Sequence, residues 1–160
     1  THLINKARDY IYITTPYLIL SNEMIRALTA AAKSGIDVRI ITPHHGDKWF
    51  VHMVTRSYYN LLMKSGVKIY EYTPGFIHAK TYVADDMYGV VGTINMDYRS
   101  LYLHFECGVW LYNCHCVADI KKDFLETLSV CQQITSDYFK HYKWYHTLIS
   151  SILRVFAPLL

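Results

Sequence analysis

Lys33-Ser34-Gly35-Ile36-Asp37-Val38-Arg39-Ile40-Ile41-Thr42-Pro43 is echoed further along the chain by Lys64-Ser65-Gly66-Val67-Lys68-Ile69-Tyr70-Glu71-Tyr72-Thr73-Pro74. In each copy a basic helix end meets a glycine where a left-handed C-terminal residue belongs. A β-rich run follows, and Thr-Pro closes it because proline cannot donate to a sheet ladder. Ahead of the first copy, Met24, Ala27, Leu28, Ala31 and Ala32 recur at helical spacing behind Ser21, which offers an N-cap. Earlier still, Tyr10-Ile11-Tyr12-Ile13-Thr14 reads as a strand ended by Pro16. Between the copies, residues 47–65 read as a second helix with Asp47 as its N-cap. The order βαβαβ predicts an α/β domain with parallel strands and right-handed crossovers. Two tandem copies are too few for a solenoid.

Beyond Pro74-Gly75 the pattern changes to strands at 76–84, 88–94 and 104–112, with Asp85-Asp86 as a tight turn. These are hairpin-joined, so the sheet is mixed and flanked by helices. Residues 117–131 form a last amphipathic helix, with Ile120, Phe124, Leu125, Leu128 and Cys131 on one face.

The length of 160 residues suits one domain, 52% apolar and 18% charged residues argue against disorder, and a net charge of +3 is too weak and scattered to predict nucleic-acid binding. The 15 tyrosines suit a surface between apolar and wet surroundings. Cys107, Cys114, Cys116 and Cys131 are too few for a disulfide scaffold and read as reduced thiols. Cys114-His115-Cys116 lacks a second matched pair, so no metal is expected there, nor at His44-His45-Gly46-Asp47, which reads as a loop before a helix and could line a substrate mouth. The first residues show no initiator Met, basic leader or cleavage site, so the chain reads as cut from something longer. The main domain is placed at 1–143. The tail, 144–160, is too short to span a bilayer and carries Arg154, with Leu148, Ile152, Val155 and Leu159 as an apolar stripe. It reads equally as an interfacial helix or as a helix closing the core.

The chemistry lies in His78-Ala79-Lys80-Thr81-Tyr82-Val83-Ala84-Asp85, followed by Gly92-Thr93-Ile94-Asn95. On a strand, His78 and Lys80 share one face. A neutral imidazole can attack phosphorus, and an ammonium with an Asn amide can hold the phosphoryl oxygens where charge develops, so no metal or cofactor is called for.

The pattern H-x-K-x4-D followed by G-T-x-N resembles the HKD signature of the phospholipase D superfamily. Thr15-Pro16-Tyr17, residues 35–43 and 66–72, Gly75-Phe76-Ile77-His78-Ala79-Lys80 and Asn95-Met96-Asp97-Tyr98-Arg99-Ser100-Leu101 resemble the second catalytic half of bacterial cardiolipin synthases. The resemblance implies a phospholipase D-like fold with His78 as phosphohistidine-forming nucleophile or its acid/base partner, Lys80 and Asn95 as phosphodiester clamp, Asp85 in support and Glu106, on the following strand, orienting the histidine. His104 stands where relatives carry Asn. The implied reaction joins two phosphatidylglycerol molecules into cardiolipin and glycerol, and needs two histidines. Only one complete motif is present, so the implied partner is an N-terminal HKD half or a second copy, at the cytoplasmic side of the bacterial cell membrane with its anionic lipid. Two alternatives remain: a homodimeric phosphodiesterase or nuclease of the same superfamily, and a non-catalytic lipid-binding fragment.

Overall fold

A computed structural model describes residues 1–140, 149 and 152–155. The doubled pattern folds as read. Strands β1 (Tyr10–Thr14), β2 (Asp37–Pro43) and β3 (Lys68–Tyr72) lie parallel, Tyr10 opposite Asp37 and Arg39 opposite Lys68, joined by helices α2 (Asn22–Lys33) and α3 (Trp49–Met63). Ser21 caps α2 by accepting the Met24 amide at 3.3 Å. Gly35 and Gly66 hold φ of 92° and 99°, which a side chain would disfavour, and so turn each helix into its strand.

β4 (Thr81–Ala84), β5 (Tyr88–Gly92) and β6 (Gly108–Tyr112) form an antiparallel meander on the outer side of β1. Asp85 and Asp86, both near φ +55°, make the two-residue turn whose twist matches the flanking strands. On the far side, β7 (Cys131–Gln133) runs antiparallel to β3, completing a mixed sheet in the order β6-β5-β4-β1-β2-β3-β7.

Alternation along the strands supplies two cores. Ile11, Ile13, Val38 and Ile40 face α2, α3 and the short α1 (His2–Lys6), while Tyr10, Tyr12, Ile41 and Val83 face Val117 and Phe124 of α4 (His115–Ser129). Tyr12 stacks on Phe124 with ring centroids 4.8 Å apart.

Three strands are shorter than the sequence suggests, the one expected at 88–94 ending at Gly92. The expected strand 76–84 begins at Thr81, opposite Thr14, because β1 then runs into Pro16, which has no N–H to pair; residues 76–80 approach the sheet as irregular backbone. The strand expected at 104–112 likewise starts at Gly108, so Glu106 precedes β6 rather than lying on it. The last helix stops at Ser129, and Cys131, expected on its apolar face, begins β7. A short α5 (Ser136–Lys140) follows. Most of the expected tail, 144–160, lies outside the described residues. Among those described, Leu153 packs on the core, Arg154 lies over the Tyr58 ring at 4.3 Å, and Ile152 and Val155 are exposed. No helix among the described residues is long and apolar enough to cross a membrane.

Candidate active site

The irregular segment ahead of β4 carries His78 between two rings: Phe76, 5.4 Å between centroids, and Tyr17, edge-on at 6.1 Å. Lys80 donates from Nζ to the His78 carbonyl at 2.6 Å, which pins the ammonium beside the imidazole. His78 is exposed at the groove and Lys80 half-buried.

The other wall comes from the loop after β5. At Gly92 a Cβ would collide with the Cys107 carbonyl oxygen and the Gly108 Cα, so only glycine lets the two segments close here. Thr93 then exchanges bonds with Cys107, its N–H reaching the Cys107 carbonyl at 2.9 Å and its Oγ1 accepting the Cys107 amide at 3.0 Å. The following turn is strapped to the exit of β1: the Met96 amide donates to Thr15 Oγ1 at 3.1 Å and the Ile19 amide to the Met96 carbonyl at 2.8 Å. Asn95 is thereby fixed between the groove and a turn of π-helix at Arg99–Leu103. Its Nδ2 meets Ser100 Oγ at 3.0 Å while its buried Oδ1 has no partner among the described residues.

His78, Lys80 and Asn95 line one open groove of about 530 Å³, together with Gly92 and Thr93. Glu106 lies nearby with a different partner from the one expected. Its carboxylate accepts from the Thr93 hydroxyl, and no hydrogen bond joins it to His78 among the described residues. The Thr93 and Ser100 hydroxyls, aided by His104 and Lys80, hold the Glu106 carboxyl below the usual range. Burial and then Lys80 lower the His78 pKa, and Asp47 opposes them. Burial also lowers Lys80, against the pull of Glu106 and Asp97.

Asp85 is not brought to the groove. It lies past the far end of β4, whose four residues rise about 13 Å. Its carboxylate accepts the backbone amides of Arg8, Asp9 and Tyr10 at 2.8–3.0 Å and ties the start of β1 to the hairpin.

The loop at residues 44–47, which the sequence allows to line a substrate mouth, does reach His78: Asp47 acts on it electrostatically and Tyr17 packs edge-on against it, a pairing that spacing alone does not reveal. Tyr17 donates to Asp47 Oδ2 at 2.7 Å, and burial with that bond raises the phenol's pKa well above its ordinary value. Asp47 does not cap α3; that position falls to Lys48, without a side-chain bond. The loop carrying both is held from below by Glu71, fully buried on β3. Arg56 Nε and Nη2 donate to the Glu71 carboxylate at 2.8 Å and His44 Nδ1 meets the same carboxylate at 2.7 Å, so His44 is a structural partner here. Only the topology, which sets the ends of β1 and β2 beside the loop after β5, could have revealed this. Cys114 and Cys116 bring their thiols within 3.0 Å at the start of α4, far along the chain from the groove residues, and no group of three metal-binding side chains occurs among the described residues.

Solved structures share this architecture. Nuc from Salmonella typhimurium, described as a phospholipase D family member, matches 83% of the chain and 86% of its own at a TM-score of 0.72 and 19% identity. The phosphatidylserine synthase of Haemophilus influenzae matches 98% of this chain and 41% of its own, also at 0.72, with 16% identity. The fold is therefore phospholipase D-like. The chain belongs to the cardiolipin synthase, PLD-like domain family, whose sequence profile matches residues 1–128. Cardiolipin synthases of Halalkalibacterium halodurans and Clostridium perfringens are 41% and 39% identical to it over 158 residues, or 99% of this chain. An uncharacterised protein of Streptococcus mutans is 50% identical over the same length. The chain spans about a third of these relatives, 31%, 33% and 34% respectively.

Proposed function

We propose that the chain supplies one of the two catalytic halves of a cardiolipin synthase, transferring a phosphatidyl group between two phosphatidylglycerol molecules. The observation that carries this reading is the convergence of His78, Lys80 and Asn95 on one open groove. Burial and Lys80 favour the neutral imidazole, the form that attacks phosphorus, which suits His78 to the nucleophile's role. Its nitrogen bonds to phosphorus as the bond to the glycerol oxygen breaks. A second histidine, from an N-terminal HKD half or a second copy, gives its proton to the departing glycerol. That same group then takes the proton of a second phosphatidylglycerol's hydroxyl, whose oxygen displaces His78 and yields cardiolipin. Lys80 and Asn95 stabilise charge on the non-bridging oxygens through both steps. Glu106, linked to Thr93 and electrostatically to Lys80, holds the clamp rather than the imidazole. Asp85 serves the same centre at a distance, by fixing the hairpin that β4 and β5 share. The setting is a lipid surface: Trp49 and Phe105, 70% and 108% exposed, are rings such a surface would receive.

The test is His78→Ala in the protein assembled with its second motif on phosphatidylglycerol vesicles. Cardiolipin formation is expected to fall about a thousandfold or more, with an unchanged thermal melt. The unsubstituted protein should yield an acid-labile phosphatidyl adduct on the His78 peptide by mass spectrometry. Near-normal product from the alanine variant overturns the assignment, and salt-sensitive DNA cleavage would transfer the motif to a nuclease.

A further inference from the structure

Next to the groove is a second cavity, about 290 Å³, and Asn95 lines both. Its walls come from Tyr17 after β1, Lys48 before α3, and Arg99, His104 and Glu106 around the π-helical turn. The acidic members take neutral donors and pair with neither cation of the cavity among the described residues. Asp97 is buried and accepts the Ser100 amide at 2.7 Å, and Glu106 accepts the Thr93 hydroxyl. The cations are not neutralised. Among the described residues no ion pair or hydrogen bond engages the Lys48 ammonium. Arg99 Nη2 meets only His104 Nε2, at 3.2 Å, an imidazole nitrogen that steers the guanidinium without cancelling its charge. Lys48 and Arg99, both lining this cavity and neither paired with a carboxylate among the described residues, are suited to a phosphate.

We propose that this cavity binds the phosphodiester of the acceptor lipid. The inference rests on the transfer reaction proposed above and names a subsite for it. An acceptor phosphatidylglycerol attacks through the terminal hydroxyl of a glycerol whose other end already bears a phosphate. While that hydroxyl approaches the phosphorus held by His78, Lys80 and Asn95, its own phosphate stands one glycerol away, and the adjoining cavity, which shares Asn95 with the groove, is there to receive it. Lys48 and Arg99 therefore act as specificity determinants. An alcohol carrying a phosphate is held in position to attack, whereas water and free glycerol, with nothing to occupy the second cavity, gain no such binding.

Two water-soluble probes isolate this interaction without turnover. Deacylated cardiolipin carries two phosphodiesters joined by one glycerol, and deacylated phosphatidylglycerol carries one. Titration calorimetry on the protein should show the first binding about tenfold tighter or more, and the double variant Lys48→Gln/Arg99→Gln should bring the ratio close to one while keeping the affinity for the one-phosphate probe and the thermal melt. Exchange of the exposed Lys64 and Lys122 for Gln, away from the cavity, should leave the ratio intact, which separates a built site from general attraction to a basic surface. Equal affinities in the unsubstituted protein, a ratio that survives the cavity substitutions, or one that collapses in the surface control overturns the subsite. Vesicles that give no cardiolipin would count against the transferase reading alone, because the ratio of affinities requires no reaction.

Discussion

At the scale of single residues, the site is an imidazole whose charge state is set by two opposite neighbours. Burial and Lys80 lower the His78 pKa from its ordinary 6.5, while Asp47 raises it. The neutral form therefore prevails from below pH 6.5 upward, and the acid limb of kcat/KM belongs below that value. Lys80→Gln should move the limb to higher pH and Asp47→Asn to lower pH, whatever each does to the plateau. Profiles that shift together or stand still would remove Lys80 and Asp47 from the electrostatics of His78. His78, Lys80 and Asn95 were legible in the sequence because one motif brackets a hairpin that returns on itself, so residues far apart in number meet at one end. Asp85 can serve only in support: a run of extended residues that keeps Lys80 at the groove necessarily carries the aspartate away along β4. The partner of Glu106 was not legible, since a carboxylate's choice between an imidazole and a hydroxyl depends on backbone that pairing, and not spacing, decides.

Among the elements, the junction of β5 and β6 positions the clamp most directly. Gly92 leaves no room for a Cβ against the Cys107 carbonyl and Gly108 Cα, and the next residues carry Thr93 and Asn95 into place. Gly92→Ala must push backbone against backbone, which no rotamer relieves. A loss of about 2 kcal/mol or more in stability, with turnover falling further than the melt accounts for, is the expected outcome by denaturant titration and assay at a permissive temperature. A fully active, equally stable variant would show that the two segments separate freely. Glycine also explains which elements could be read in advance. Gly35 and Gly66 end helices in conformations that other residues resist, so the strand starts at β2 and β3 follow from them. Where no such punctuation exists, the sequence is silent: residues 76–80 have strand composition but lose their neighbour at Pro16, and α1 and β7, five and three residues long, are too short for any period to register.

For the whole molecule, the acid sensitivity of the fold sits partly in a polar layer near the site. His52 is packed against Gly46 with its buried Nε2 unpaired among the described residues, and burial lowers its pKa to about 4. Its unfolded counterpart titrates near 6.5, so the folded state binds fewer protons between those values. The stabilisation is complete above pH 6.5 and drains away as pH falls through about 4. Discounted for partial exposure, this amounts to about 2 kcal/mol. His52→Gln should flatten that part of the curve of urea midpoint against pH, and an unchanged slope would assign the acid sensitivity elsewhere. The two flanks of the sheet also differ. β7 ends one side after three residues, whereas β6 leaves the other open, with Val109, Trp110 and Tyr112 exposed along it. Among the described residues no strand pairs with the outer edge of β6, so its free backbone groups form a row to which one further strand can be added.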